Sequence, residues 1–153
     1  MNALDLLRAD HEKVKDMMRR LEGTERDEVE TREQLFGDLV QELTVHEKVE
    51  EEIFYPALKQ SPQALEDVLA AFEQHHLVDE IVNGIEDTPY DAAEWAPKFK
   101  VLRENVEDHI AEEERTLFGH AREAFGSAEL DDIGTKMQQL KNEEVAELEG
   151  EEA

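Results

Sequence analysis

Two stretches of this chain place a histidine four residues before a glutamate: His46-Glu-Lys-Val-Glu50 and His109-Ile-Ala-Glu-Glu113. Four residues of α-helix turn through about 400°, so the imidazole and the carboxylate share one face, one turn apart. Such a pair is a half-site for a transition metal, and two copies carry donors for two metals. Each copy has a further histidine upstream, His11 at 35 residues before His46 and His75 at 34 residues before His109. The chain thus reads as a duplicated helical hairpin, each copy giving His, then His-x-x-x-Glu, which predicts pseudo-two-fold architecture. Imidazole with carboxylate is a borderline donor set that suits iron, and a bridging carboxylate holds two cations close while offsetting their charge.

The elements that must carry these residues follow from apolar spacing. Leu4, Leu7, His11, Val14, Met18 and Leu21 step by three and four. So do Phe36, Leu39, Leu43, His46, Glu50, Ile53 and Ala57. A third stripe runs Leu65, Val68, Phe72, His75, then Val78 or Asp79, and Val82, and a fourth Phe99, Leu102, Val106, His109, Glu113, Leu117. These are helical stripes, and no segment sustains a period of two, so the fold is expected to be all-α. Punctuation divides the helices. Gly23 to Asp27 is a polar turn, Ser61-Pro62 reads as an N-cap with proline at the first helical position, and Gly84 to Tyr90 separates the hairpins. Asp91 and Glu94 offer a capping-box-like start, and Gly119 and Gly126 loosen or end the fourth helix. The expected architecture is an antiparallel up-down-up-down four-helix bundle over residues 1–125. A shorter helix from about Glu129 to Leu148 and a frayed acidic tail complete residues 126–153.

His11, His46, Glu50, His75, His109 and Glu113 occupy stripe positions that otherwise hold apolar residues. A single buried histidine is ordinarily a hydrogen-bonded core residue, and an unpaired buried carboxylate is costly or takes up a proton. Six such residues in phase are explained together by a metal cluster. His76 competes with His75, because Leu65, Leu69, Phe72 and His76 also form a stripe; the repeat register favours His75, since His11 and His75 both have valine three residues later. Glu51, Glu52, Glu112 and Glu114 are expected on solvated faces or against ligand imidazoles, His120 at the surface, and Tyr55 in a packing role.

Composition narrows the classes. The 153 residues suit one domain. A formal charge of −25, from 41 acids against 16 bases, opposes binding to nucleic acid or an anionic membrane. No apolar run approaches the roughly 20 residues of a spanning helix, and Met-Asn-Ala-Leu-Asp lacks the features of a signal peptide, so a cytoplasmic location is expected. With no cysteine, a metal must be held by His, Glu, Asp or water.

As a set, Asp10-His11-x-x-Val14-Lys15, His46-x-x-x-Glu50-Glu-Glu-x-Phe-Tyr-Pro56, Gln74-His75-His76 and His109-x-x-x-Glu113-Glu-x-x-Leu-Phe118 resemble the hemerythrin-like, or HHE cation-binding, family from about Leu4 to Phe125. The resemblance implies a four-helix bundle with a non-haem di-iron centre. His11, His46, His75 and His109 would be ligands of two iron ions cycling between Fe2+ and Fe3+ under an oxo or hydroxo bridge, with Glu50 and Glu113 bridging. It also implies small ligands (O2, H2O2 or NO) and a role in sensing, detoxification or iron handling, with catalase-like peroxide dismutation as the enzymatic form. Glu47 resembles an extra carboxylate ligand of the hemerythrin-like domain in a ubiquitin-ligase subunit, although it points about 100° away from His46. The chain departs from the family where Gly119 rather than proline follows Phe118, and where Asp108-His109 replaces a histidine pair. It also has fewer ligand histidines than the oxygen carriers. Three alternatives stand beside this reading. A ferritin-like site needs two Glu-x-x-His motifs, and only Glu73-x-x-His76 is present. A structural or interaction bundle would keep the polar layer without tight metal. A mononuclear zinc site would use four of the six donors.

Overall fold

The computed structural model describes the backbone of residues 1–152 and the side chains of residues 1–150. Helix α1 (Ala3–Glu22) is capped by Asn2, whose side-chain oxygen accepts the Asp5 N–H at 2.8 Å. Helix α2 (Val29–Val49) runs through a π-helical turn, π1 (Glu50–Phe54), into α3 (Tyr55–Leu58). Helix α4 (Leu65–Glu86) precedes α5 (Trp95–Glu112), which runs through π2 (Glu113–Leu117) into α6 (Phe118–Ala124), and α7 (Ser127–Glu152) follows. There is no strand among the described residues. Helix α1 packs on α2 and α5, α4 on α5, and α7 on α1 and α2.

The apolar stripes build two core clusters. One holds Leu7, Val49, Phe54, Leu58, Val68, Phe118 and Met137; the other holds Val14, Met18, Phe36, Leu39, Trp95, Phe99, Leu102 and Val106. Along each long helix the histidine falls where the stripe passes from one cluster to the other, as His11 does between Leu7 and Val14, and His75 between Ala71 and Val78. A polar layer is therefore sandwiched between two apolar ones.

The two π turns depart from the simple helices expected. In each, the N–H of the residue five positions on bonds the glutamate carbonyl, Tyr55 to Glu50 and Phe118 to Glu113. Position i+5 of an unbroken α-helix lies about 140° from position i; the extra residue brings it round beneath the glutamate. Proline is not the cause, because Gly119 stands at the repeat position of Pro56 and π2 forms all the same.

Two expected helix starts are displaced. Ser61-Pro62 lies in a turn before α4, and the Ser61 hydroxyl bonds the Gln63 side chain at 3.1 Å instead of a helix N–H. Glu94 precedes α5 without a side-chain cap, and no capping box forms with Asp91. The connection is held instead by Arg26 donating to the Asp91 carbonyl and Arg32 to the Tyr90 carbonyl, both at 2.6 Å.

The C-terminal helix is longer than expected. It spans 26 residues, and the acidic tail continues it to Glu152; Ala153 lies outside the described residues. It is held by burying Leu130 and Met137 against the first cluster, with Ile133, Leu140 and Leu148 partly covered. Gly134 allows this approach: a Cβ there would stand 2.6 Å from the Met1 carbonyl oxygen and 2.8 Å from the Ala3 nitrogen.

Candidate metal centre

Six side chains converge in the polar layer. Glu50 approaches His46 Nε2 at 3.2 Å and His75 Nε2 at 3.1 Å through Oε1. Glu113 approaches His11 Nε2 at 3.0 Å through Oε1 and His109 Nε2 at 3.5 Å through Oε2. All six residues are buried, the two glutamates almost completely. One donor atom from each of His11, His46, Glu50 and Glu113 lies within 4.8 Å of the others, and the same holds for Glu50, His75 and His109. The two groups share Glu50. The helices deliver this arrangement because each His-x-x-x-Glu step is one turn, and because α1 and α4 each bring one histidine to the same level.

Every inward imidazole is fixed from behind. His11 Nδ1 meets Glu114 at 2.7 Å, His46 Nδ1 meets Asp10 at 3.1 Å, His75 Nδ1 meets Glu51 at 2.8 Å and His109 Nδ1 meets the Gln74 side-chain oxygen at 2.5 Å. These oxygens only accept, so each Nδ1 is the donor and each Nε2 turns a lone pair inward. The pattern obeys the repeat. The residue after each glutamate holds the first histidine of the other copy, and the residue before each first histidine holds the second histidine of its own copy. Asp10 is itself paired with Lys141 of α7.

The result is an electron-rich cage. His11, His46 and His109 Nε2, both Glu50 oxygens and Glu113 Oε1 have no hydrogen-bond partner among the described residues. Buried polar atoms are rarely left so, and lone pairs facing each other at about 3 Å call for a proton or a cation between them. Without a cation, protons answer. Burial opposes a charged ring at His11, but Glu113 outweighs it and raises the pKa; Glu50 does the same at His46. His75 is pushed up to about 10, with burial again overcome by Glu50 and Glu51. Burial would raise the Glu113 carboxyl, but Glu50, His109 and His11 hold it well below the usual range. The mixed nitrogen and oxygen donors fit a transition-metal cation, and the orphaned atoms are where its ligands would be.

Tyr55 is more than a packing residue. Its hydroxyl donates to Glu113 Oε2 at 2.5 Å and stands 3.4 Å from His75 Nε2, while its ring meets Phe72 edge-on. The π turn puts it there, which the α-helical spacing does not anticipate. Its repeat mate Phe118 stacks beside His11 without a hydroxyl. Asp10 and Gln74 also gain roles that their sequence positions reveal only through the repeat. His76 points outward, 63% exposed, toward Glu73. His120 is not at the open surface as expected; it is half-buried against Asp67 at 2.9 Å. Glu47 is half-buried beside Glu51 and His75, and its carboxyl is pushed up to about 8, chiefly by burial. A cavity of about 20 Å³ lies against all four histidines, walled by Val14, Leu43, Val78, Val106 and Ile110. A cleft of about 330 Å³ between α4 and α5 reaches His109 and Glu113 past Asp67, Asp108 and Glu112.

Comparison with known proteins follows the same lines. Residues 2–121 match the hemerythrin HHE cation-binding domain. The uncharacterised protein Rv2633c of Mycobacterium tuberculosis is 30% identical over 138 residues, covering 90% of this chain and 83% of that protein. A DNA nickase of Nostoc sp. is 26% identical over 142 residues, and there the chain spans 93% of its own length but 40% of the nickase. The crystal structure of a hemerythrin HHE cation-binding domain protein, the Rv2633c homologue of Mycobacterium kansasii, superposes with a TM-score of 0.84 at 26% identity, covering 94% of this chain and 87% of that one.

Proposed function

This chain belongs to the hemerythrin HHE cation-binding family, and we propose that it holds two non-haem iron ions in the polar layer of an up-down-up-down four-helix bundle. One ion would take His11 and His46 and the other His75 and His109; Glu50 belongs to both donor groups, and Glu113 belongs to the first and reaches His109 through its second oxygen. The observation that carries this reading is the cage of unpartnered nitrogen and carboxylate atoms whose outer nitrogens are all tied down. A purely structural polar layer would close its hydrogen bonds internally, and one zinc ion would leave two of six donors idle.

Bound iron supplies redox chemistry and open coordination positions for a small ligand. The protein's own residues do the rest. Val14, Val78, Val106 and Ile110 keep the inner cavity apolar, and its volume of about 20 Å³ has room for one molecule of about the size of water, a scale that suits O2, NO or peroxide. Tyr55 holds a proton at Glu113 Oε2, and Glu51, Glu114, Asp10 and Gln74 keep the imidazoles aimed. The proposed role is small-ligand sensing, peroxide removal or iron handling in the cytoplasm. A nicking activity like that named for the Nostoc relative gains no electrostatic support from a chain of charge −25.

The test is metal analysis after anaerobic reconstitution with Fe2+, with optical spectra under O2, peroxide and NO. Two irons per chain and spectra that change with one or more of these ligands are expected. One metal per chain with zinc preferred overturns the reading.

A further inference from the structure

Two of the positions at which the repeat is broken fall on the atoms that set ligand strength. Asp10 and Gln74 are repeat mates, each standing directly before a first histidine and each accepting from the Nδ1–H of a second one. Asp10 is a carboxylate, 3% exposed, that accepts from both His46 and Lys141. Gln74 offers only a neutral amide oxygen. A carboxylate behind an imidazole makes the inward nitrogen the stronger donor. The second break is Tyr55 against Phe118. The Tyr55 hydroxyl occupies Glu113 Oε2, the oxygen facing His109, while Glu113 Oε1, which faces His11, stays free. Phe118 has no hydroxyl to offer Glu50 as Tyr55 offers one to Glu113.

Donor geometry points the same way. Four ligand atoms gather around the His11–His46 position and three around the His75–His109 position. From this asymmetry we infer that the two metal positions are unequal: the His11–His46 position fills first and holds its ion more tightly, and Asp10 is the positioning residue that makes it so. The inference rests on the two-metal reading. Lys141 and Arg8 oppose it by placing positive charge near Asp10 and Glu114. Arg8 is 44% exposed and 4.0 Å from Glu114, so solvent screens most of its effect. Lys141 meets Asp10 Oδ1, and Oδ2 still accepts from His46.

The experiment is stepwise addition of Co2+ to the metal-free full chain without oxygen, followed by calorimetry and ligand-field absorbance. Wild type is expected to bind two equivalents in two resolved steps, the first at least about tenfold tighter. Asp10→Asn should weaken the first step by about 10–100-fold and leave the second nearly unchanged. Gln74→Glu should tighten the second step, a gain that a folding defect does not produce, and circular dichroism checks both variants. Two equal sites in wild type, or Asp10→Asn acting on the second step, overturn the inference while leaving two metals in place. A total of one equivalent overturns the two-metal reading itself.

Discussion

At the scale of single residues, the acids and phenol around the cage carry separable consequences. The Glu47 carboxyl is pushed up to about 8, first by burial and then by Asp79 and Glu51, with His75 acting against them. A raised folded-state pKa contributes stability that is complete below the ordinary value of 4.5 and lost as pH rises through about 8. Glu47→Gln should therefore flatten the fall in melting temperature of metal-free protein between those pH values and exceed wild type at pH 8. Parallel melting curves for the two proteins would contradict it. Tyr55→Phe removes the bond to Glu113 while keeping the ring against Phe72. Breaking a buried hydrogen bond to a charged group costs about 1.5–3 kcal/mol. Urea denaturation of metal-free protein measures this, and a negligible loss would return Tyr55 to packing alone.

Among the elements, the π turns and α7 do what regular helices do not. Each π turn starts at a glutamate of the cage and brings the residue five positions on round beneath it, which is how Tyr55 reaches Glu113. Such turns within helices are frequent at functional sites. Helix α7 closes one flank and sends Lys141 to Asp10, so a helix outside the repeat touches the support of His46. Its seat depends on Gly134, where a Cβ would meet the backbone of Met1, Asn2 and Ala3 at 2.6 to 2.8 Å. The neighbours are main chain and cannot rotate away, so Gly134→Ala should cost about 1–3 kcal/mol. Gly84, inside α4, has nothing within 4 Å of an added Cβ, and Gly84→Ala should instead stabilise by about 0.5–1 kcal/mol. Opposite signs in denaturant midpoints are the check, and equal effects would refute the close-approach argument.

For the molecule as a whole, metal and proton compete for the same buried atoms. In the metal-free state His75 titrates at about 10 instead of 6.5, because Glu50 and Glu51 outweigh burial. That contribution to stability is complete below about 6.5 and disappears as pH rises through about 10. A metal that replaces the proton removes this dependence. It also stabilises by mass action, about 2.7 kcal/mol when free metal is a hundred times its dissociation constant. Calorimetric melts with and without Fe2+ under nitrogen should show the metal form higher, with the gap widening from neutral to alkaline pH. Coincident melts would mean that the polar layer serves the fold alone.

What the sequence by itself determined is what helical periodicity can carry. The three-and-four stepping of Leu7, His11 and Val14, or of Leu43, His46 and Glu50, tells which side chains share a face. The duplicated spacing tells that two such faces match, so the all-α class and the meeting of four histidines with Glu50 and Glu113 were legible before any coordinate. The helix starts expected at Ser61 and Asp91 are displaced because a capping residue is only a local preference: Ser61 turns to the Gln63 side chain, and Arg26 and Arg32 hold the connection at Tyr90 and Asp91. The tertiary structure alone decided which acid stands behind which imidazole. Glu114 to His11, Glu51 to His75 and Lys141 to Asp10 join residues far apart in the chain. The π turns belong to this second class too, since no pattern of apolar residues records them. Local sequence sets the direction of a side chain, but its partner is whatever the packing of another helix brings within three ångströms.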